Sequence, residues 1–313
     1  MRLPGGSRSV GAMATTDQDR PLVGILWMLA TGLAFVVVTG VVRHLGTDLP
    51  AAQSAFIRFL YGLVFLMPSL LSILRRGLPA GAWRLVLGRG VLHVVAVTLW
   101  FFAMARIPVA EVTAIGYLNP IVVTVGAALI FGERLAMRRI VAIAVALLGA
   151  LVILRPGLRD VAPGHLAQLG AAVSFGLSYL IAKRLSADLP AGALVALLSL
   201  TVTLGLAPLA LMAWVPPTLE HLAWLGLVAA FATFGHYAMA RAFAAAPLTV
   251  TQPVTFLQLV WAALLGWVVF GEAVDPYVLL GGAMIIAAIS YMTWPEAKAR
   301  RRAITPAPDA AKL

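Results

Sequence analysis

Cysteine is absent from this 313-residue sequence, and acidic residues are scarce, with 12 Asp and Glu against 23 Lys and Arg. A chain without cysteine can form no disulfide, no thiol nucleophile and no cysteine-ligated metal site. Charged residues of both signs make up only 11% of the chain, whereas soluble domains average about 25%. Because 62% of the residues are hydrophobic, the chain lacks the polar side chains to cover a surface in water. These deficits exclude an ordinary soluble protein and indicate a membrane protein.

Apolar runs occupy most of the sequence. A helix crosses the hydrocarbon core of a bilayer, roughly 30 Å thick, with about 20 mostly apolar residues, and it satisfies its backbone hydrogen bonds internally. We predict an all-α polytopic membrane protein with ten transmembrane helices. The predicted spans are 21–42, 51–74, 83–105, 109–131, 138–154, 163–183, 191–214, 221–243, 248–270 and 276–294. The breaks fall at prolines, where a helix does not easily continue: Pro50, Pro79, Pro108, Pro156, Pro190, Pro216, Pro217 and Pro247.

The chain contains one stretch twice. Residues 108–133 and 247–272 both begin with proline and end with Phe-Gly-Glu, at one constant shift. Residues 43–50 match 183–190 at a shift that differs by a single residue. We therefore predict two five-helix repeats, at 21–156 and 157–295. They are preceded by a polar tail, 1–20, expected to be disordered and cytoplasmic, and followed by a basic cytoplasmic tail, 296–313.

The distribution of basic residues predicts the orientation. If the amino terminus is cytoplasmic, 17 Lys and Arg fall in cytoplasmic segments and 4 in external ones, with Arg58 and Arg89 inside spans. This is a clear positive-inside bias, and it explains the net charge of +11 without nucleic acid as a partner. Because five spans is an odd number, the second repeat enters the membrane inverted. Inverted repeats are typical of secondary transporters, although duplication also yields channels and structural bundles.

Several short motifs at matching positions carry a family resemblance. They are Arg58-Phe59, Pro120, Phe131-Gly132-Glu133-Arg134-Leu135 and Gly149 in the first half, and Phe270-Gly271-Glu272 and Gly281-Gly282 in the second. Each half resembles an EamA domain, and the chain resembles the drug/metabolite transporter superfamily of bacterial inner membranes. The resemblance implies a multi-pass inner-membrane carrier of small organic metabolites. Leu259 stands where the first half has Pro120, so we expect any kink in the ninth span to be displaced towards Pro253.

Polar and aromatic side chains within spans are the candidate substrate site, because polar groups in lipid usually face the bundle interior. The candidates are His93, Trp100, Tyr117, Asn119, Tyr179, His236, Tyr237, Gln258 and Trp261. One interpretation is a central cavity with aromatic walls and a few orienting polar groups. The other is that these residues join helices or lie in interfacial belts. We expect His93, Trp100, Asn119 and Gln258 to converge near the membrane midplane.

Charged residues within or at the ends of spans have a second set of possible roles. Arg58, roughly 12 Å into its span, either binds an anionic group of the substrate or acts as a structural or gating charge. Glu133 and Glu272 end their helices and are expected to hold loop arginines or cap a neighbouring helix. With no acid deep in a span, His93 and His236 are expected to be the only buried groups that titrate near neutrality. Transport is then either facilitated or coupled to a proton on a histidine.

The favoured function is a secondary transporter that moves a small organic metabolite by alternating access. Its expected partners are that small molecule and the lipid bilayer, with no cofactor, metal, nucleic acid or obligate protein partner. The aromatic residues favour a substrate with a flat or apolar part, such as an aromatic amino acid, S-adenosylmethionine or a flavin. An intramembrane enzyme is the alternative, but no HExxH, GxSxG or pair of intramembrane acids occurs. A receptor or scaffold is a third class, and no GxxxxGK[ST] motif indicates direct drive by ATP.

Overall fold

The computed structural model describes residues 21–79, 81–131, 136–158, 160–185, 188–245, 254 and 257–304, and within these ranges the secondary structure is helical. The helices are α1 (Pro21–Leu45), α2 (Ala51–Phe65), α3 (Met67–Arg76), α4 (Ala82–Met104), α5 (Val109–Gly116), α6 (Asn119–Phe131), α7 (Met137–Leu154), α8 (Pro163–Leu185), α9 (Ala191–Met212), α10 (Leu219–Ala245), α11 (Leu257–Phe270) and α12 (Pro276–Ile304). The tail 1–20 lies outside the described residues. Helix α12 continues beyond the predicted end of the last span.

Seven stretches of helix are long and apolar enough to cross a membrane, and the bent pair α2–α3 makes an eighth. Two shorter apolar helices, Leu257–Phe270 and Pro276–Tyr291, follow near the carboxyl terminus. Residues 246–253, which include the start of the predicted ninth span, lie outside the described residues. The prediction of an all-helical, multi-pass protein is confirmed.

The second predicted span, 51–74, corresponds to two helices with a bend between them. Helices α2 and α3 meet at Leu66 with a bend of 71°. Pro68 lies in the first turn of α3, where its missing N–H is tolerated but its ring prevents α2 from continuing. The chain therefore turns sharply before it reaches Arg75 and Arg76 at the end of α3.

The fourth predicted span is interrupted just before Pro120. Helix α5 ends at Gly116, Tyr117 and Leu118 form a turn, and α6 starts at Asn119. The carbonyl of Leu118 then accepts hydrogen bonds from the N–H groups of Ile121 at 3.0 Å and Val122 at 3.1 Å. The bend expected at this proline is thus a short break that leaves the Tyr117 and Asn119 side chains beside non-helical backbone.

The helices pack in pairs that link the two halves of the chain. Helix α1 lies along α10, and α4 lies along α8. Helix α2 packs on α9, and α7 packs on α12. Small residues allow the closest of these approaches: a Cβ atom built on Gly149 would lie 2.7 Å from the carbonyl oxygen of Gly281. Any larger residue there would force α7 and α12 apart, which gives these motif glycines a packing role.

Five chain connections meet at one end of the bundle, which we call the polar end. They are 46–50, 105–108, 155–162, 213–218 and 271–275, of which residue 159 is not described. The buried amide of Gln53 donates to the carbonyl of Val215 at 2.6 Å and accepts from its N–H at 2.9 Å. Arg155 forms an ion pair with Asp275. Polar contacts thus join connections from both halves at this end.

Candidate functional site

Helices α2, α4 and α8 converge around a buried histidine. The ring of His93 meets Phe59 of α2 at a centroid distance of 5.9 Å and Phe175 of α8 at 5.0 Å, both edge to face. Nδ1 of His93 shares a hydrogen bond of 3.2 Å with Oγ of Ser178. Tyr179 stacks on Phe175 at 6.0 Å. We call Phe59, His93, Phe175 and Tyr179 the aromatic cluster.

The local sequence accounts for this geometry. Phe175, Ser178 and Tyr179 are spaced i, i+3 and i+4, so they lie on one face of α8. The Ser178 hydroxyl gives the buried imidazole a polar partner, which it needs in an apolar bundle. The ring of Tyr179 is 42% exposed although its neighbour Phe175 is half-buried. The aromatic cluster therefore has a packed side at His93 and an open side at Tyr179.

Two arginines lie beside the aromatic cluster. The guanidinium of Arg58 lies over the ring of Phe59, 4.0 Å from its centroid. Arg89 precedes His93 by one turn of α4, and its Nη1 donates to the carbonyl of Leu194 at 3.1 Å. The positive charges of both arginines act on His93, Tyr179 and His236. The cluster and the inner face of α10 thus share one positive electrostatic environment.

Aromatic residues of α1 and α10 form a second group. His236 packs edge to face on Phe35 at 5.2 Å, and its side chain is exposed. Tyr237 packs on Trp27 at 6.0 Å and accepts a hydrogen bond of 3.0 Å from Arg241. Aromatic side chains of α1 and α10 thus pack on one another along the contact between these two helices.

The remaining predicted residues are more dispersed. Trp100 packs on Phe101 at 5.2 Å, and Tyr117 bonds to the backbone of Leu259. Asn119 is half-buried, and its Oδ1 atom has no hydrogen-bond partner within the described part of the chain. Gln258 is half-buried on α11, and Trp261 is 37% exposed.

No ring contact or hydrogen bond among the described residues joins Trp100, Asn119 or Gln258 to His93. Their convergence with His93 on one cavity therefore stays a prediction. Glu133 lies outside the described residues.

One buried polar contact between helix ends was not predicted. Glu111 of α5 and His165 of α8, 3% and 5% exposed, approach to 2.5 Å between Oε2 and Nε2. The expectation that His93 and His236 are the only buried groups that titrate near neutrality left out His165, which is a further buried histidine. Both members of the pair follow a proline that opens a helix at the polar end, and this shared position was the available signal.

Glu272 connects the two halves at the polar end. Its Oε1 lies 3.0 Å from Nη2 of Arg43 at the end of α1, and its Oε2 accepts a hydrogen bond of 2.9 Å from the N–H of Val109. Val109 is the first residue of α5, and the preceding Pro108 supplies no side-chain cap. We call Arg43, Val109 and Glu272 the Glu272 contact. A carboxylate from the second half thus caps a helix of the first half, where the helix dipole favours negative charge.

Comparison with known proteins gives the family. The model of the EamA-like transporter family matches residues 22–155 and again residues 162–294. The chain belongs to the EamA-like transporter family. The predicted resemblance is confirmed, with the domain occurring twice. The protein is therefore a transporter and not an enzyme, and it is a multi-pass membrane protein of bacterial type.

Curated relatives of this EamA-like protein are named as small-molecule transporters. It is 32% identical to the riboflavin transporter of Vibrio cholerae serotype O1 over 292 residues, covering 91% of this chain and 97% of the relative. It is likewise 32% identical to the riboflavin transporter of Rhizobium johnstonii, covering 91% and 96%. The S-adenosylmethionine uptake transporter of Rickettsia prowazekii is 25% identical, covering 88% and 94%. A solved crystal structure at 20% identity, with a TM-score of 0.55 and coverage of 88% and 96%, shares the fold.

Proposed function

We propose that this protein is an inner-membrane secondary transporter that moves a small, flat organic metabolite by alternating access between two inverted five-helix repeats, 21–156 and 157–295. In this arrangement the break between α5 and α6 lies within one span, and α11 and the apolar part of α12 are the ninth and tenth. Both termini are cytoplasmic, and the polar end is external.

The packing of the helices supports the inverted repeats. If the repeats are exchanged, α1 takes the place of α8 and α4 takes the place of α10. The pair α1–α10 then becomes the pair α8–α4, and both pairs are long and close in the structure. The pairs α2–α9 and α7–α12 each map onto themselves. This is the pattern of two similar units related by a two-fold axis, which lets one site open to either side of a membrane.

The orientation can be tested with reporter fusions. We expect a reporter in the 75–82 loop, or after Lys298, to be cytoplasmic, because Arg75, Arg76 and Arg84 cluster there. A reporter in the 156–162 loop, at the polar end, is expected to be external. Alkaline phosphatase and green fluorescent protein fusions at the same sites provide opposite readouts. The same location for the 75–82 and 156–162 reporters would reject the inverted repeats.

The aromatic cluster carries the substrate proposal. A flat heteroaromatic ring gains dispersion and stacking energy against aromatic side chains, and a binding cavity of this kind needs only a few polar groups for orientation. The side chain of Tyr179 is exposed, and its ring stacks on the ring of Phe175. Riboflavin is the first candidate, since two relatives at 32% identity are named for it and its ring system is flat. S-adenosylmethionine, with a smaller purine ring, is the second candidate.

Transport into proteoliposomes tests this function directly. We expect saturable uptake of labelled riboflavin, reduced by at least about fivefold when Phe175 is replaced by alanine, because one stacking ring is worth about 1–3 kcal/mol. Phe234→Ala is the matched control, since this phenylalanine is 45% exposed on α10 and makes no ring contact among the described residues. Uptake of S-adenosylmethionine in place of riboflavin would reassign the substrate. If neither compound is transported, whether into or out of the proteoliposomes, the proposal of a flat heteroaromatic substrate is rejected.

A further inference from the structure

The positive charges of Arg58 and Arg89 lack a carboxylate partner. The sequence has no Asp or Glu deep within a predicted span; Glu111, Glu133 and Glu272 lie at span ends. At the polar end four of the described acids contact other residues: Glu111 with His165, Glu272 with Arg43, Asp275 with Arg155, and Asp48 with His221. At the opposite end Asp188 pairs with Arg184. Among the described residues, no ion pair forms with either arginine.

An unpaired charge inside a helical bundle is costly in free energy. We therefore expect such a charge to be paired with an opposite charge during the transport cycle. Arg89 is only 8% exposed. Its Nη1 donates to the Leu194 carbonyl, while its Nε has no hydrogen-bond partner within the described part of the chain. A carbonyl dipole satisfies one N–H of the guanidinium but does not neutralise the charge.

The neighbours of Arg58 do not neutralise it either. The face of Phe59 stabilises the cation by about 0.5–2 kcal/mol, less than a buried charge needs. His93, Tyr179 and His236 are neutral or positive near pH 7, so they add no negative charge. The contact with Phe59 does not use the N–H donors of the Arg58 guanidinium, and within the described part of the chain no hydrogen bond from Arg58 is found. These donors therefore need an acceptor from outside the protein.

We propose that Arg58 and Arg89 form an oxyanion subsite that binds a carboxylate or phosphate of the transported molecule while its ring lies against the aromatic cluster. This inference rests on the proposed function and, among substrates with a flat ring, favours those that carry a carboxylate or phosphate over uncharged riboflavin. Guanidinium groups suit this role because their N–H donors match the geometry of carboxylate and phosphate oxygens. Arg58 lies over Phe59, whose ring meets His93, and Arg89 lies one turn before His93 on α4, so both guanidinium groups belong to the surroundings of the aromatic cluster that includes Tyr179.

Two pairs of probes that share a ring and differ in charge test the subsite. They are riboflavin against flavin mononucleotide, which adds a phosphate, and indole against indole-3-acetate, which adds a carboxylate. Binding is measured with the purified full-length protein in phosphatidylcholine nanodiscs. We expect the anionic member of a pair to bind at least about tenfold more tightly, the strength of a charge-assisted hydrogen bond. Arg58→Gln and Arg89→Gln are expected to reduce that preference to less than about threefold, while Arg58→Lys retains part of it.

Arg84→Gln is the matched control, because Arg84 is an exposed arginine at the start of the helix that carries Arg89. It should leave the preference unchanged. If Arg89→Gln fails to fold, the comparison of Arg58→Gln with Arg58→Lys carries the test.

The possible outcomes separate the subsite from the proposed function. Riboflavin binding without any anionic preference overturns the subsite and keeps the flat-ring substrate. A preference that survives both glutamine variants also overturns it. Binding of indole-3-acetate but of neither flavin keeps the subsite and rejects a flavin. Loss of the preference in nanodiscs with phosphatidylglycerol assigns the subsite to a lipid phosphate and overturns its role in transport.

Discussion

Replacing Glu111 by alanine is expected to destabilise the folded protein by about 1–3 kcal/mol, because it removes the carboxylate that contacts the buried imidazole of His165. Glu111 and His165 are 3% and 5% exposed, and their side chains meet at 2.5 Å. Their neighbour Gln168 donates to the carbonyl of Val112 at 3.0 Å, so α5 and α8 are joined by more than one polar contact. Loss of the carboxylate should therefore loosen the start of both helices.

A double-mutant cycle distinguishes the pair from the two residues taken singly. Glu111→Leu and His165→Leu are each expected to lower the free energy of unfolding by about 1–3 kcal/mol. The double substitution should restore most of this loss, since replacing both partners of a buried polar contact by apolar groups can be nearly neutral. Arg184→Ala serves as the control, because the Arg184–Asp188 pair is exposed and such pairs contribute about 0–1 kcal/mol.

The free energies are measured by reversible unfolding in mixed detergent micelles, with thermal inactivation of transport as a second readout. Additive effects of the two leucine substitutions would contradict the pairing and leave two independently packed residues.

The sequence was sufficient to predict those features of the fold that depend on local residue patterns. Apolar runs between loop prolines predicted the crossing helices, and Phe-Gly-Glu at matching positions predicted the second domain. Prolines within the apolar runs did not predict reliably where a helix bends. Pro68 lies at a 71° bend, whereas Pro208 lies within an unbroken α9. The difference depends on what packs against each helix, which a single sequence does not contain.

The candidate site was predictable only in part for the same reason. His93 and Tyr179 were identified because polar residues in lipid are unusual. Phe175 looked like any other apolar residue of a span, and Phe59 was noted only as part of the Arg58-Phe59 motif and not as a neighbour of His93. The partners Glu111 and His165 are 54 residues apart, and Val109 and Glu272 are 163 apart. Such pairs form through tertiary packing, so no local spacing indicates them.

Replacing Glu272 by alanine is expected to open the polar end. The substitution removes the ion pair with Arg43 and the cap on Val109 together, contacts worth about 1–3 kcal/mol in sum. The closed polar end is expected to be one state of an alternating-access cycle. If the free energy that favours this closed state falls by about 1.4 kcal/mol, the equilibrium shifts about tenfold towards the open state. Glu272→Gln should have a smaller effect, because an amide oxygen can still accept from the Val109 N–H but carries no charge for Arg43.

The absence of cysteine makes this opening measurable, since a single introduced thiol is unique in the chain. Ser54→Cys is a suitable probe: Ser54 is 5% exposed and lines a cavity of about 80 Å³ just inside the polar end, between Val42 and Phe101. A membrane-impermeant maleimide added to intact cells should label this thiol slowly in the parent and about tenfold faster with Glu272→Ala. Asp188→Asn, which breaks the exposed pair at the opposite end, should leave the rate unchanged. Equal labelling with and without Glu272 would mean that the Glu272 contact only caps α5 and that other contacts, such as Gln53 with Val215, hold the polar end closed.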